Sequence, residues 1–156
     1  MILNPNILNT EVQAFLEEHL DSDLHRMILK GSPFENISVQ ELAEQIQSRR
    51  KCKLKLPLWW KTPGVLFPPS LNIEQSSSEK AAEYKASLVT GCRMIDLTGG
   101  FGVDSFYFSK RFDRVVHLEI DRELQEIVRH NLKILNVDNV DCILGDSIEF
   151  LKSSDE

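Results

Sequence analysis

The sequence predicts an α/β fold, an open parallel sheet preceded by a small helical region, and three observations predict it. Beyond Gly91, short apolar runs alternate with stretches of helical periodicity. The first of those runs leads into a glycine-rich turn, Thr98-Gly99-Gly100-Phe101-Gly102. Ahead of Gly91, apolar residues recur at helical spacing until a cluster of prolines interrupts them.

In the N-terminal part, Thr10-Glu11-Val12-Gln13 has the form of a capping box, followed by Phe15 and Leu16 at helical spacing. Leu24, Met27 and Ile28 mark a second short helix, and Gly31 suits its C-terminal cap. Ser38-Val39-Gln40-Glu41 is another capping box, opening a helix with an apolar face of Leu42, Ala43 and Ile46 and a basic end. Pro57, Pro63, Gly64, Pro68 and Pro69 predict an extended connector over 54–75, in which Leu54, Leu56 and Leu58 alternate with lysines like a half-buried strand. Ser76-Ser77-Ser78-Glu79 then caps a helix that ends at Thr90-Gly91.

The alternating part follows. Arg93–Leu97, Arg114–Glu119 and Val140–Leu144 are predicted strands, separated by helices that start near Val103 and after Asp121, with a last helical piece after Gly145-Asp146-Ser147. The β-α-β-α-β order implies parallel strands with right-handed crossovers. The expected organisation is a helical region 1–53, a connector 54–75 and a sheet domain 76–156. Three strands are about half of an open doubly wound sheet, and the first keeps an unpaired edge. The sequence therefore reads as the N-terminal portion of a longer polypeptide, its sheet completed in cis or in trans.

Composition bounds the function. With 42% hydrophobic and 27% charged residues the chain is of ordinary soluble type. No apolar run approaches the ~20 residues of a membrane helix, and Met1-Ile2-Leu3-Asn4-Pro5 does not open a signal peptide. Cys52, Cys92 and Cys142 are odd in number, far apart and without metal spacing, so a reducing cytoplasm is the expected setting and no metal is expected. The net charge of −6 argues against a chain that coats nucleic acid nonspecifically. Between Glu44 and Glu74, however, there is no acid, while Arg49, Arg50, Lys51, Lys53, Lys55 and Lys61 fall in that gap with Trp59 and Trp60. Phosphate contacts and base stacking would suit RNA. A solvated helix end with packing tryptophans explains the same residues, and the alternating leucines favour it.

The glycine turn is where chemistry concentrates. Glycines there let a backbone come close to a ligand or take positive φ. Asp96 ends the first strand, where a carboxylate suits an ammonium group and repels a pyrophosphate. Glu119 ends the second strand, about 20 residues on, where an acid accepts hydrogen bonds from ribose hydroxyls. Asp121 is better read as a helix cap, and Asp146, after the third strand, reads equally as a cap or as an adenine contact. Asp104, in the first turn after the loop, is rewarded by the helix dipole alone.

Asp96-x-Thr98-x-Gly100-x-Gly102 resembles motif I of class I S-adenosylmethionine-dependent methyltransferases, which have a Rossmann-like sheet. Leu118-Glu119-Ile120 resembles their motif II and Leu144-Gly145-Asp146-Ser147 their motif III. The resemblance implies S-adenosyl-L-methionine as cofactor. Its methionyl part would be held by Asp96, Thr98, Gly99, Gly100, Phe101 and Gly102, its ribose by Glu119, and its adenine by Asp146 and the Ser147 backbone. The longer string Asp96–Phe106 is similar to the loop of bacterial ribosomal RNA guanine-N2 methyltransferases. Lys55–Trp59 and Glu74–Lys85 resemble a group of RNA methyltransferases in which a helical region precedes the catalytic domain and a THUMP-like domain follows. In that family the catalytic motif follows a fourth strand, so no catalytic residue is assigned here. A dinucleotide-binding oxidoreductase fits less well, because its fingerprint wants a third glycine where Ser105 stands. A non-catalytic RNA- or partner-binding piece is the remaining alternative.

Overall fold

The computed structural model describes residues 4–154. Met1–Leu3, on which the leader reading partly rests, and Asp155–Glu156 lie outside the described residues. The chain divides into two compact units between Glu74 and Gln75.

The first unit is helical. A 3₁₀ turn at Pro5–Leu8 precedes α1 (Thr10–Glu18), α2 (Leu24–Lys30), α3 (Val39–Lys55), α4 (Pro57–Lys61) and α5 (Ser70–Gln75). Ile7, Val12, Leu16, Met27, Ile37, Leu42 and Ile46 form its buried cluster. The Ser38 box is present: Glu41 N–H donates to Ser38 Oγ at 3.2 Å and Ser38 N–H to Glu41 Oε2 at 2.7 Å. Gly31 closes α2 at φ +81°, its N–H on Ile28 O. The Thr10 box is not formed. Asn9 occupies the cap position, and the Gln13 amide turns away to the Ile7 carbonyl.

The extended connector also needs correction. α3 continues to Lys55, and Pro57 opens α4 because a proline at the first helical position lacks only an N–H that would be unpaired anyway. Leu54 is 91% exposed and Leu56 fully buried, which follows helical rather than strand geometry. Only the stretch between α4 and α5 is extended. The α3 side chains hold it: Gln45 donates to Phe67 O and Ser48 to Pro68 O, both at 2.8 Å.

The second unit begins with α6 (Glu79–Ser87), capped by Ser78 Oγ on Ala81 N–H. β1 (Gly91–Asp96), α7 (Val103–Phe108), β2 (Phe112–Glu119), α8 (Arg122–Ile134), β3 (Val140–Leu144) and α9 (Ser147–Ser154) follow. The sheet is parallel with order β1-β2-β3, and the register pairs Asp96 with His117 and Glu119 with Leu144. Leu124, Ile127, Val128 and Leu132 are the buried stripe of α8, and Val115 and Leu118 are buried on β2. The strand ends therefore lie side by side, and the loops that follow them form one edge. Among the described residues no helix is long and apolar enough to cross a membrane.

Candidate functional site

The end of β2 organises this edge. Leu118 O accepts Gly99 N–H at 2.8 Å, and Glu119 O accepts Gly145 N–H at 3.0 Å. One residue pair thus anchors the loop after β1 and the loop after β3. The Glu119 carboxylate is fixed as well: Oε2 takes Gly100 N–H at 2.8 Å and Oε1 takes Asp121 N–H at 2.9 Å. Each carboxylate oxygen can accept a second hydrogen bond, so the group retains capacity for a hydroxyl donor.

The glycine loop is shaped by two left-handed residues, Gly100 at φ +53° and Gly102 at φ +75°. Gly99 is required for a different reason. A Cβ there would lie 2.3–2.6 Å from three atoms of the buried His117 ring. Four of the loop's N–H groups are spent internally: Thr98 N–H on Asp96 Oδ1 at 3.2 Å, Gly99 on Leu118 O, Gly100 on Glu119 Oε2, and Gly102 on Gly99 O at 2.9 Å. The N–H groups of Gly99, Gly100 and Gly102 are therefore engaged within the fold. A loop with these donors consumed and two carboxylates beside it is poorly suited to an anion.

Asp96 accepts the Ser105 hydroxyl on Oδ2 at 2.7 Å in addition to Thr98 N–H on Oδ1. Ser105 is fully buried and also lies 2.9 Å from His117 Nδ1. Phe101 is 2% exposed, so its side chain is a packing group and only its backbone could line a site. Thr98 is exposed. Asp146 caps α9, its Oδ1 accepting Ile148 N–H at 2.8 Å and Glu149 N–H at 3.1 Å, and Ser147 is the first residue of that helix. Asp121 caps α8 through Glu123 and Leu124 N–H.

Asp104 is a structural clasp. Its Oδ2 accepts Ser77 Oγ at 2.8 Å and Lys85 Nζ at 2.7 Å, tying α6 to α7. Sequence reasoning assigned no chemistry to His117 and saw Ser105 only as a missing glycine; the departure from the dinucleotide pattern at 105 was the available signal. Burial pushes the His117 imidazole below its ordinary pKa, against the pull of the Asp96 and Glu119 carboxylates and of Gln125.

The basic gap proves to be largely internal. Arg49 is 7% exposed, donates to Gln13 Oε1 and lies over the Phe67 ring at 5.2 Å, and burial lowers its pKa. Arg50 binds the Leu20 and Ser22 carbonyls. Lys51 pairs with Glu74 and with Ser70 Oγ, while Lys55 donates to the Ile73 and Glu74 carbonyls. Trp59 is 1% exposed. Of the six cations, Lys53 and Lys61 are exposed, Lys53 with its ammonium 5.6 Å from the Trp60 ring. Arg49, Arg50, Lys51 and Lys55 are thus engaged within the fold, and a cation so engaged must break that contact to meet a phosphate.

The parallel sheet, whose strand ends carry an acid, a glycine loop and a second acid, is a Rossmann-like arrangement. Comparison with known proteins adds two findings. A family model for RNA cap guanine-N2 methyltransferase matches residues 91–156, the span from β1 onward. The chain is also similar to a crystal structure from Porphyromonas gingivalis W83 described as a "putative methyltransferase", with a TM-score of 0.77 and 24% identity. That similarity covers 98% of this chain and 39% of the other, so the chain spans about two fifths of its solved relative. No curated protein sequence matches it.

Proposed function

We propose that this chain supplies the cofactor-binding part of an S-adenosyl-L-methionine-dependent methyltransferase acting on RNA. The observation that carries the reading is the polarity of the loop: Asp96 and Glu119 flank it while the N–H groups of Thr98, Gly99, Gly100 and Gly102 are engaged within the fold. Such a site favours a ligand with an ammonium group and hydroxyls over a pyrophosphate, which also sets the dinucleotide alternative aside. Asp96 would take the methionyl ammonium, and the backbone from Thr98 to Gly102 would wall the methionyl chain. Glu119 would accept from the ribose hydroxyls, and Asp146 with the Ser147 backbone would meet the adenine. When bound, the cofactor supplies an electrophilic sulfonium methyl group. The protein's part is to hold its ligand in one orientation, which is where the rate gain from alignment arises. RNA as acceptor is supported by the family model over residues 91–156.

Titration of the 156-residue chain with S-adenosylhomocysteine, S-adenosylmethionine and NAD tests the cofactor. Micromolar S-adenosylhomocysteine binding, lost in Asp96→Ala, is expected; tighter NAD binding would end the reading. For the acceptor, a polypeptide that carries this sequence should move labelled methyl groups from S-adenosylmethionine into RNA. Label appearing in protein alone would remove the RNA assignment.

A further inference from the structure

Beside the residues assigned to cofactor contact lies a buried polar chain that the reading leaves unused. Ser105 Oγ sits 2.7 Å from Asp96 Oδ2 and 2.9 Å from His117 Nδ1. A serine hydroxyl has one proton to give, and an ionised carboxylate can only accept, so that proton belongs to Asp96. The contact to His117 is then a hydrogen bond only if Nδ1 carries a proton and donates it to Ser105 Oγ. Nε2 is left as a bare lone pair. Nε2 and Gln125 Oε1 are both buried without a hydrogen-bond partner among the described residues, so the choice of tautomer rests on where the Ser105 proton goes. Burial, against the pull of the Asp96 and Glu119 carboxylates, lowers the ring's pKa. The ring is fully buried and lies against Gly99, where a Cβ would strike it.

We propose that Ser105 and His117 are positioning residues for Asp96, joined in the relay His117 Nδ1–H to Ser105 Oγ–H to Asp96 Oδ2. With Thr98 N–H on the other oxygen, both ends of the Asp96 carboxylate are held and its rotation is fixed. His117 acts through Ser105 and touches no ligand. The functional consequence rests on the cofactor reading of Asp96. A carboxylate held in advance meets an ammonium group without first paying the entropy of ordering.

Nitrogen-15 NMR of the ligand-free full chain, with the His117 signals assigned by their absence in His117→Asn, reads the tautomer directly. A neutral ring protonated on Nδ1 is expected at pH 7. Protonation on Nε2 would overturn the proposal, because Ser105 would then have to donate to the ring and abandon Asp96. Binding of S-adenosylhomocysteine supplies the second readout. Ser105→Ala and His117→Gln should weaken it on the order of tenfold, the loss of one charge-assisted hydrogen bond. His117→Asn should recover most of that loss, because an asparagine amide nitrogen falls near the place of Nδ1. Equal losses in Asn and Gln would show that the ring only fills space and would overturn the relay. The two failures are distinguishable. No binding by the wild-type chain ends the cofactor reading while the tautomer still decides the relay; unchanged binding in Ser105→Ala ends the positioning role while the cofactor reading stands.

Discussion

In the helical unit most cations of the basic gap are spent on the fold, whereas in the sheet unit Asp96 and Glu119 sit at an edge with acceptor capacity to spare. Arg49, Arg50, Lys51 and Lys55 of α3 reach carbonyls, an amide and a carboxylate of their own unit. Asp96 and Glu119 are also hydrogen-bonded, but to a loop whose shape they set, and each oxygen keeps a further lone pair. A side chain's charge in the sequence states what it can pair with. Whether the pairing is internal or left for a ligand depends on which backbone groups arrive beside it.

That contrast can be broken or sharpened by substitution. The chain's two tryptophans, Trp59 and Trp60, lie in the helical unit, and its two tyrosines, Tyr84 and Tyr107, in the sheet unit. Tryptophan fluorescence therefore follows the first unit, and circular dichroism follows both. The largest effect is expected for Gly99→Ala, whose methyl group has no room beside His117. It should cost about 1–3 kcal/mol or more by overpacking. The dichroism transition should move to lower denaturant. A stability equal to wild type would mean that the ring can shift, and the fixed-loop account would fail.

Next come two changes in the helical unit. Ser38→Ala removes the α3 cap and should cost about 1 kcal/mol. Arg50→Ala removes two bonds to carbonyls and should cost about 1 kcal/mol. Both should displace the tryptophan transition. If Arg50→Ala leaves it in place while weakening RNA binding, the cation is external after all and the contrast is lost.

A smaller effect is a pH dependence. Burial alone would raise the Glu41 pKa, but hydrogen bonds from the Ser38 hydroxyl and N–H, and from Asn4, outweigh it and hold the carboxyl below its ordinary value. A folded-state pKa below the unfolded one means stability that is present above the unfolded pKa and lost as pH falls through the folded one. Acid titration of stability should therefore show a component in that window that Glu41→Gln lacks; identical profiles would remove it. Least of all, Lys53→Ala and Lys61→Ala, being exposed, should change stability by no more than about 0.5 kcal/mol, measured by the same transition. A larger loss would place those lysines among the internal cations.

Much of the sheet unit was legible in advance. The three strands, the loop and the acids at strand ends follow from local pattern, since a parallel strand is a short apolar run and a glycine turn announces itself. The loop at Asp96–Gly102 lies at the candidate site, with Phe101 buried and the N–H groups of Thr98, Gly99, Gly100 and Gly102 hydrogen-bonded within the fold. The 54–75 segment was less legible. Prolines there read as breaks in helix, but one of them opens α4 and the rest shape a stretch pinned by Gln45 and Ser48.

The sequence by itself determined the order of strands and helices in the sheet unit, the Ser38 and Ser78 caps, and the alignment of Asp96 and Glu119 at strand ends. These depend on neighbours within a few positions and on the fixed geometry of strand and helix. Only the tertiary structure decided that Arg49 is buried, that Asp104 clasps Ser77 and Lys85, and that His117, Ser105 and Asp96 form one chain. These depend on groups nine or more positions apart, and no local period records which of them packing will bring within hydrogen-bond reach.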